Sequence, residues 1–172
     1  MPVMTVIVMQ KIHKLTPAAA APYRAVAAVL ALLACATPAL AFTLPPVTNK
    51  ATQAECSACH MVFPPEMLPA RSWTKLMSNL DNHFNEIATL DGKTRADILA
   101  YLKANAADSP RYRQYTALLQ GVPPNATPLR ITDIPWWQRI HGSANAPYFT
   151  DPRVVSAANC GACHRGAQHG RF

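Results

Sequence analysis

Between residues 68 and 84, apolar side chains recur every three or four positions. Trp73, Leu76, Met77, Leu80 and Phe84 form one face, and this spacing predicts a helix over 68–84. Pro69 falls in its first turn, where proline is tolerated, and His83 lies at its end beside the apolar face. A second stripe, Ile98, Leu99 and Leu102, predicts a helix over 94–106, opened by Thr94-x-x-Asp97 in the manner of a capping box. Tyr112, Tyr115, Leu118 and Leu119 mark a shorter piece that Gly121-Val122-Pro123-Pro124 ends. A further helix starts at Thr132-Asp133, runs through Pro135, Trp136, Trp137 and Ile140, and stops at His141-Gly142. Residues 42–53 read as an extended, proline-containing lead-in. A short helix after them is closed by Pro64-Pro65, which cannot continue it. Residues 143–153 read as a loop with Pro147 and Pro152, and Ser156 as the cap of a last short helix. No strand pattern stands out. The chain therefore reads as mainly α, made of short helices and Pro-rich loops.

The N-terminal segment has a different character. Lys11, Lys14 and Arg24 precede an apolar run over 25–34, and Ala39-Leu40-Ala41 follows as a small-x-small cleavage site. Residues 1–41 are thus expected to be a signal peptide, with the exported chain starting at Phe42. The apolar run is too short and too Ala-rich for a membrane span. A competing reading takes Leu32-Leu33-Ala34-Cys35 as a lipoprotein box, which would make Cys35 a lipid anchor.

Composition alters the picture once the leader is set aside. The whole chain has 16 basic and 9 acidic residues and a formal charge of +7. Three of the basic residues lie in the leader, so the rest of the chain is less basic than the total implies. That charge is no argument for nucleic-acid binding. Five cysteines are present. Cleavage before Phe42 removes Cys35 and leaves four.

Those four fall into two runs, Cys56-Ser57-Ala58-Cys59-His60 and Cys160-Gly161-Ala162-Cys163-His164. Both are C-x-x-C-H, the attachment pattern of c-type haem. Two thiols on one turn each add to a vinyl group, and the next histidine offers an imidazole to the iron. One zinc held by four thiolates, two redox dithiols, or a pair of disulfides would each use the cysteines. None of these uses a histidine at the same offset twice. Two haems would bring four propionates, close to balancing the positive charge. They would also supply much of the core of so small a chain, so the apoprotein is expected to be poorly folded.

His60 and His164 occupy one axial position on each haem. Candidates for the other positions are His83, His141, His169, Met61, Met67 and Met77. His83 lies 23 residues after His60, and His141 lies 23 residues before His164. Each half can close a local sandwich, in reversed order, which argues against a simple tandem duplication. Helix-end capping is the competing role for His83 and His141. Met61 adjoins a proximal ligand, Met67 sits in a turn, and Met77 is the second choice for the first haem. His169 belongs to a Gly-flanked tail. Arg71, Lys75, Arg139 and Arg165 are candidate partners for propionates.

The stretches Cys56 through Pro65, Leu68-Pro69-Ala70-Arg71-Ser72-Trp73, Leu80-Asp81-Asn82-His83-Phe84, Ile134-Pro135-Trp136-Trp137, His141, and Ala158 through Ala167 resemble the dihaem cytochrome c (DHC) family. The resemblance covers nearly all of 55–172. It implies a soluble, exported, low-potential electron carrier with two covalent c-type haems. It places metal ligands at His60, His83, His141 and His164. It implies electron transfer to another periplasmic haem protein, notably an oxygen-binding cytochrome, and a link to a membrane b-type cytochrome. The expected organisation is a signal peptide (1–41), an N-terminal haem half (42–120) and a C-terminal haem half (121–172), in a monomer or weak dimer. Three rivals remain: a dihaem peroxidase, a gas-binding haem protein, and a tethered subunit of a membrane complex. The first two need an open distal position.

Overall fold

The computed structural model describes residues 42–172. Residues 1–41, which the sequence reading takes as a signal peptide, lie outside the described residues, and Cys35 with them. Helix α1 spans Lys50–Cys56. It begins earlier than the sequence pattern implies because Asn49 caps it: the Asn49 carboxamide oxygen accepts from the Thr52 amide at 2.7 Å and the Thr52 hydroxyl at 2.9 Å. Residues 50–53 are therefore helical, not extended. Only Cys56 of the first motif lies in α1, and the chain then turns through Cys59 and His60. Local side-chain bonds compete with the helix here, such as His60 Nδ1 to the Met61 carbonyl at 2.6 Å.

Helix α2 spans Ala70–Met77, after a 3₁₀ turn at Pro65–Met67. It ends well before residue 84 because the polar run after it bonds its own backbone. Ser78 Oγ donates to the Lys75 carbonyl at 2.8 Å, and Asn79 Nδ2 to the Asn82 carbonyl at 3.2 Å. His83 consequently sits in a tight loop, not at a helix end. It exchanges backbone hydrogen bonds with Glu86 at 2.8 and 3.2 Å. Phe84 and Asn85 take left-handed φ values of 57° and 76° there; this conformation is costly for phenylalanine.

Helix α3 spans Gly92–Ala104. Asp91 caps it, its Oδ1 accepting from the Lys93 and Thr94 amides at 2.9 and 3.0 Å. The Thr94–Asp97 box does not form the start; Asp97 instead accepts from Asn49 Nδ2 at 3.0 Å, tying α3 to the cap of α1. Residues Pro110–Leu119 form a 3₁₀ stretch kinked at Tyr112. A 3₁₀ turn at Ile131–Asp133 leads into helix α4, Pro135–His141, which Gly142 ends with φ 73°. The second motif opens as a 3₁₀ turn, Cys160–Ala162, following Asn159 instead of a helix capped by Ser156. Among the described residues the only extended pairings are two isolated bridges, and no helix is long and apolar enough to cross a membrane.

The main core joins Leu68, Trp73, Leu76 and Met77 to Ile98 and Leu102 of α3, and to Ile134, Trp137 and Phe149. It is shared by the segments carrying the two motifs. A smaller core of Leu44, Met67 and Leu118 takes in Phe42, Trp136 and Phe172. Here the two ends of the described chain clasp. The Leu44 amide donates to the Gly170 carbonyl and the Phe172 amide to the Phe42 carbonyl, both at 2.8 Å. Gly170 has φ 72°, and a methyl group there would collide with the Leu44 carbonyl. Gly170→Ala is expected to cost at least ~1–2 kcal/mol from the left-handed backbone alone, read as a lower denaturant midpoint with an unchanged slope.

Glu66 is the charged residue sealed deepest among the described side chains, 1% exposed, and its Oε2 has no hydrogen-bond partner. Burial pushes its pKa up from the usual 4.5 to about 7, against smaller opposing pulls from a backbone hydrogen bond and then from Arg111. Because the folded state holds this proton more tightly than the unfolded chain, its stabilising effect is complete below pH 4.5 and is lost as pH rises through about 7. The loss amounts to roughly 3 kcal/mol. Denaturant unfolding of the wild type and Glu66→Gln across this range checks it: the substitution should flatten this part of the pH dependence.

Candidate haem sites

A cavity of about 550 Å³ is hollowed out of the main core, within the size range of cofactor pockets. Cys56, Cys59 and His60 border it on one side and His83 on the other. Leu68, Trp73, Leu76 and Met77 wall it from α2 and its entry, and Ile98 and Leu102 from α3. The Trp73 indole is fixed by donating to the Pro65 carbonyl at 2.8 Å. Much of the apolar core is thus the lining of one site.

Across this cavity the His60 and His83 rings face each other, centres 6.2 Å apart and planes 26° apart. Phe63 packs at 5.0 Å from His60 and Phe84 edge-on at 4.9 Å from His83. A carbonyl can only accept, so the His60 Nδ1 facing the Met61 oxygen carries the proton and leaves Nε2 free as a donor to metal. His83 Nδ1 is buried without a partner. Burial, and then the neighbouring His60 and Arg130, push the His83 pKa down. This favours the neutral imidazole, which is the ligating form.

The second site repeats the pairing with other elements. His141 ends α4 and His164 closes the second motif; their ring centres are 6.0 Å apart with planes at 74°. His141 Nδ1 faces the Trp137 carbonyl at 3.2 Å, again leaving Nε2 free. Trp137 stacks on His141 at 4.6 Å, as residues four apart on one helix face can. Phe172, brought in by the terminal clasp, lies edge-on to His164 at 5.7 Å.

Both separations suit one metal shared by two imidazoles. Two metal–nitrogen bonds of about 2 Å each, plus half a ring on each side, place the ring centres about 6 Å apart. The cysteines suit covalent attachment. All four are free, and burial pushes the Cys56 and Cys160 thiols up in pKa, keeping them as thiols. Among the described residues no three His, Cys, Asp or Glu side chains converge as a zinc site would need. The residues present therefore fit two haems, each with a thiol pair and two facing imidazoles.

The other candidates are placed as follows. Met77 lines the first cavity, whereas Met67 belongs to the smaller core. Met61 is half-buried beside His60. His169 is exposed, in a 3₁₀ turn. Arg71 is committed to Asp108 and to the Pro123 and Ala126 carbonyls, and Arg139 to Gln120. Lys75 and Arg165 are exposed. The cation on the first cavity's wall is Arg130, over the Phe84 ring at 4.0 Å, and sequence reasoning passed over it. Also unforeseen is that Trp137, Ala157, Ala158 and Cys160 line the first cavity, so the second motif forms part of the first site's wall.

Residues 52–172 match the family model for dihaem cytochrome c. Comparison with curated proteins gives no match. Among solved structures, a diheme cytochrome c from Rhodobacter sphaeroides is 45% identical, with TM-score 0.65 over 75% of this chain and 100% of that one. A second structure, of DHC purified from Rhodobacter sphaeroides, is 46% identical, with TM-score 0.61 over 74% and 99%. The diheme cytochrome from Shewanella baltica OS155 is 32% identical, with TM-score 0.57 over 72% and 86%. With its two attachment motifs, each facing a second imidazole, the chain belongs to the dihaem cytochrome c family of electron-transfer cytochromes and carries two covalently bound c-type haems.

Proposed function

We propose that both haems have two histidine ligands, His60 with His83 and His141 with His164, and that the protein is an electron carrier, not an enzyme. The observation that carries this reading is the pair of imidazole separations, 6.2 and 6.0 Å. The haem irons supply reversible one-electron exchange. The chain's residues do the rest. Cys56, Cys59, Cys160 and Cys163 fix position. The Met61 and Trp137 carbonyls orient the imidazoles of His60 and His141. Leu76, Met77, Ile98 and Leu102 exclude water from the first site.

With two imidazoles held toward each site, His60 and His83 in one and His141 and His164 in the other, a substrate or gas would find no vacant place on the iron, which weighs against the peroxidase and gas-binding readings. Imidazole ligation without methionine favours a low potential. The exposed Phe84, Ile87, Ile140, Tyr148 and Val155 leave apolar surface for brief partner contacts. In this reading the chain is released into the periplasm at Phe42. It takes electrons from a membrane b-type cytochrome and passes them to another periplasmic haem protein. Attachment chemistry supports export, since the thiols must be delivered reduced beyond the membrane. Mass spectrometry of the mature N-terminus separates a free carrier from one lipidated at Cys35.

The spectrum of the reduced protein is expected to be unchanged by carbon monoxide, whereas His83→Ala and His141→Ala should each open one site and shift about half of the haem absorbance. A CO response from the wild type would give a distal position back to the rival readings. The differing ring angles, 26° and 74°, predict two distinct low-spin ferric signals by electron paramagnetic resonance. A single signal would mean that the two sites are equivalent.

A further inference from the structure

A second cavity, about 350 Å³, lies behind the first site and has no place in haem binding. Glu66, Tyr101, Asn105, Arg111 and Tyr112 line it, with the 45–48 segment. None of them lines the haem cavity. Two elements separate the cavities. Helix α3 turns Ile98 and Leu102 to the haem side and Tyr101 and Asn105 to the other. The 63–68 segment turns Phe63 and Leu68 to the haem side and Glu66 away from it.

The polar groups around Glu66 are largely engaged elsewhere. The Tyr101 hydroxyl accepts from the Thr48 amide at 3.0 Å, and Asn105 Nδ2 donates to the Tyr101 carbonyl at 2.7 Å. Arg111, the charged group facing Glu66, also lies over the Tyr112 ring at 5.3 Å. Tyr101 and Tyr112 are the other titratable groups on this wall. A carboxyl 1% exposed, with Oε2 unpartnered, is therefore poorly stabilised as an anion. Its lone charged neighbour, Arg111, is exposed at the cavity rim, where solvent protons can enter.

We propose that Glu66 takes up a proton when the haem in the first site is reduced, so that electron transfer there is coupled to proton uptake. This rests on the carrier reading of that site. In the step, ferric iron gains one electron from a one-electron donor, and the Glu66 carboxylate gains one proton from solvent through the second cavity, forming one O–H bond. Oxidation reverses both. Phe63 and Leu68 line the haem cavity and Glu66 lies between them in the chain, so an added electron in that site would act on the carboxylate through the apolar interior, where charges are weakly screened. Burial already holds the Glu66 proton affinity near neutrality, so a modest added charge changes its occupancy.

The test is an optical redox titration of the holoprotein from pH 5 to 9. The wild type is expected to show one of its two one-electron midpoints falling as pH rises. Glu66→Gln should flatten that step and leave the other unchanged. A wild type with flat midpoints, or a Glu66→Gln protein that keeps the slope, overturns the coupling while leaving the carrier reading intact. Haems that accept no electron overturn both. Should Glu66→Gln fail to load haem, Arg111→Gln replaces an exposed side chain and keeps the test: it should move the sloping region to higher pH, and an unmoved region overturns the proposal.

Discussion

Each site depends on two imidazoles being held about 6 Å apart, facing each other, by chain segments that have little else in common. In the first site one ring comes from a turn after α1 and the other from a tight loop after α2. In the second, one ring ends α4 and the other follows a 3₁₀ turn. Short helices suit this task. A helix of seven or eight residues has few hydrogen bonds of its own and takes its stability from packing. Its ends can therefore be set by the site. The left-handed Phe84 and Asn85 are a local cost of turning His83 toward His60, offset by the packing around them.

The same side chains serve as core and as site lining. Trp73, Leu76, Met77, Ile98 and Leu102 pack on one another and face the cavity. A bound haem completes this core, which ties folding to cofactor attachment. Trp137 belongs to both sites, lining the first cavity and stacking on His141. With Cys160 on the same wall, the two sites share one core. The terminal clasp adds a second layer: it brings Phe172 to His164 and closes a smaller core on Leu44.

Much of this was legible in the sequence. The C-x-x-C-H runs and the stop at His141-Gly142 are local chemistry, and local chemistry survives folding. The apolar stripes named the right core residues, Trp73, Leu76, Met77, Ile98 and Leu102. Helix ends were misread wherever an Asx side chain decided them. Asn49 starts α1 early, Asp91 starts α3 early, and the Ser78–Asn85 run stops α2 short, because a short polar side chain outbids propensity for nearby backbone groups.

By itself, then, the sequence determined the attachment chemistry, the mainly helical class and which histidines are available. Only the tertiary structure decided which rings face each other, that Arg130 and not Arg71 or Arg139 stands at the first cavity, and that the second motif walls the first site. It alone buried Glu66 without a partner. The reason is distance along the chain. Spacing reports contacts within a few residues, whereas these contacts join positions tens of residues apart, and their energies come from packing that no local pattern encodes.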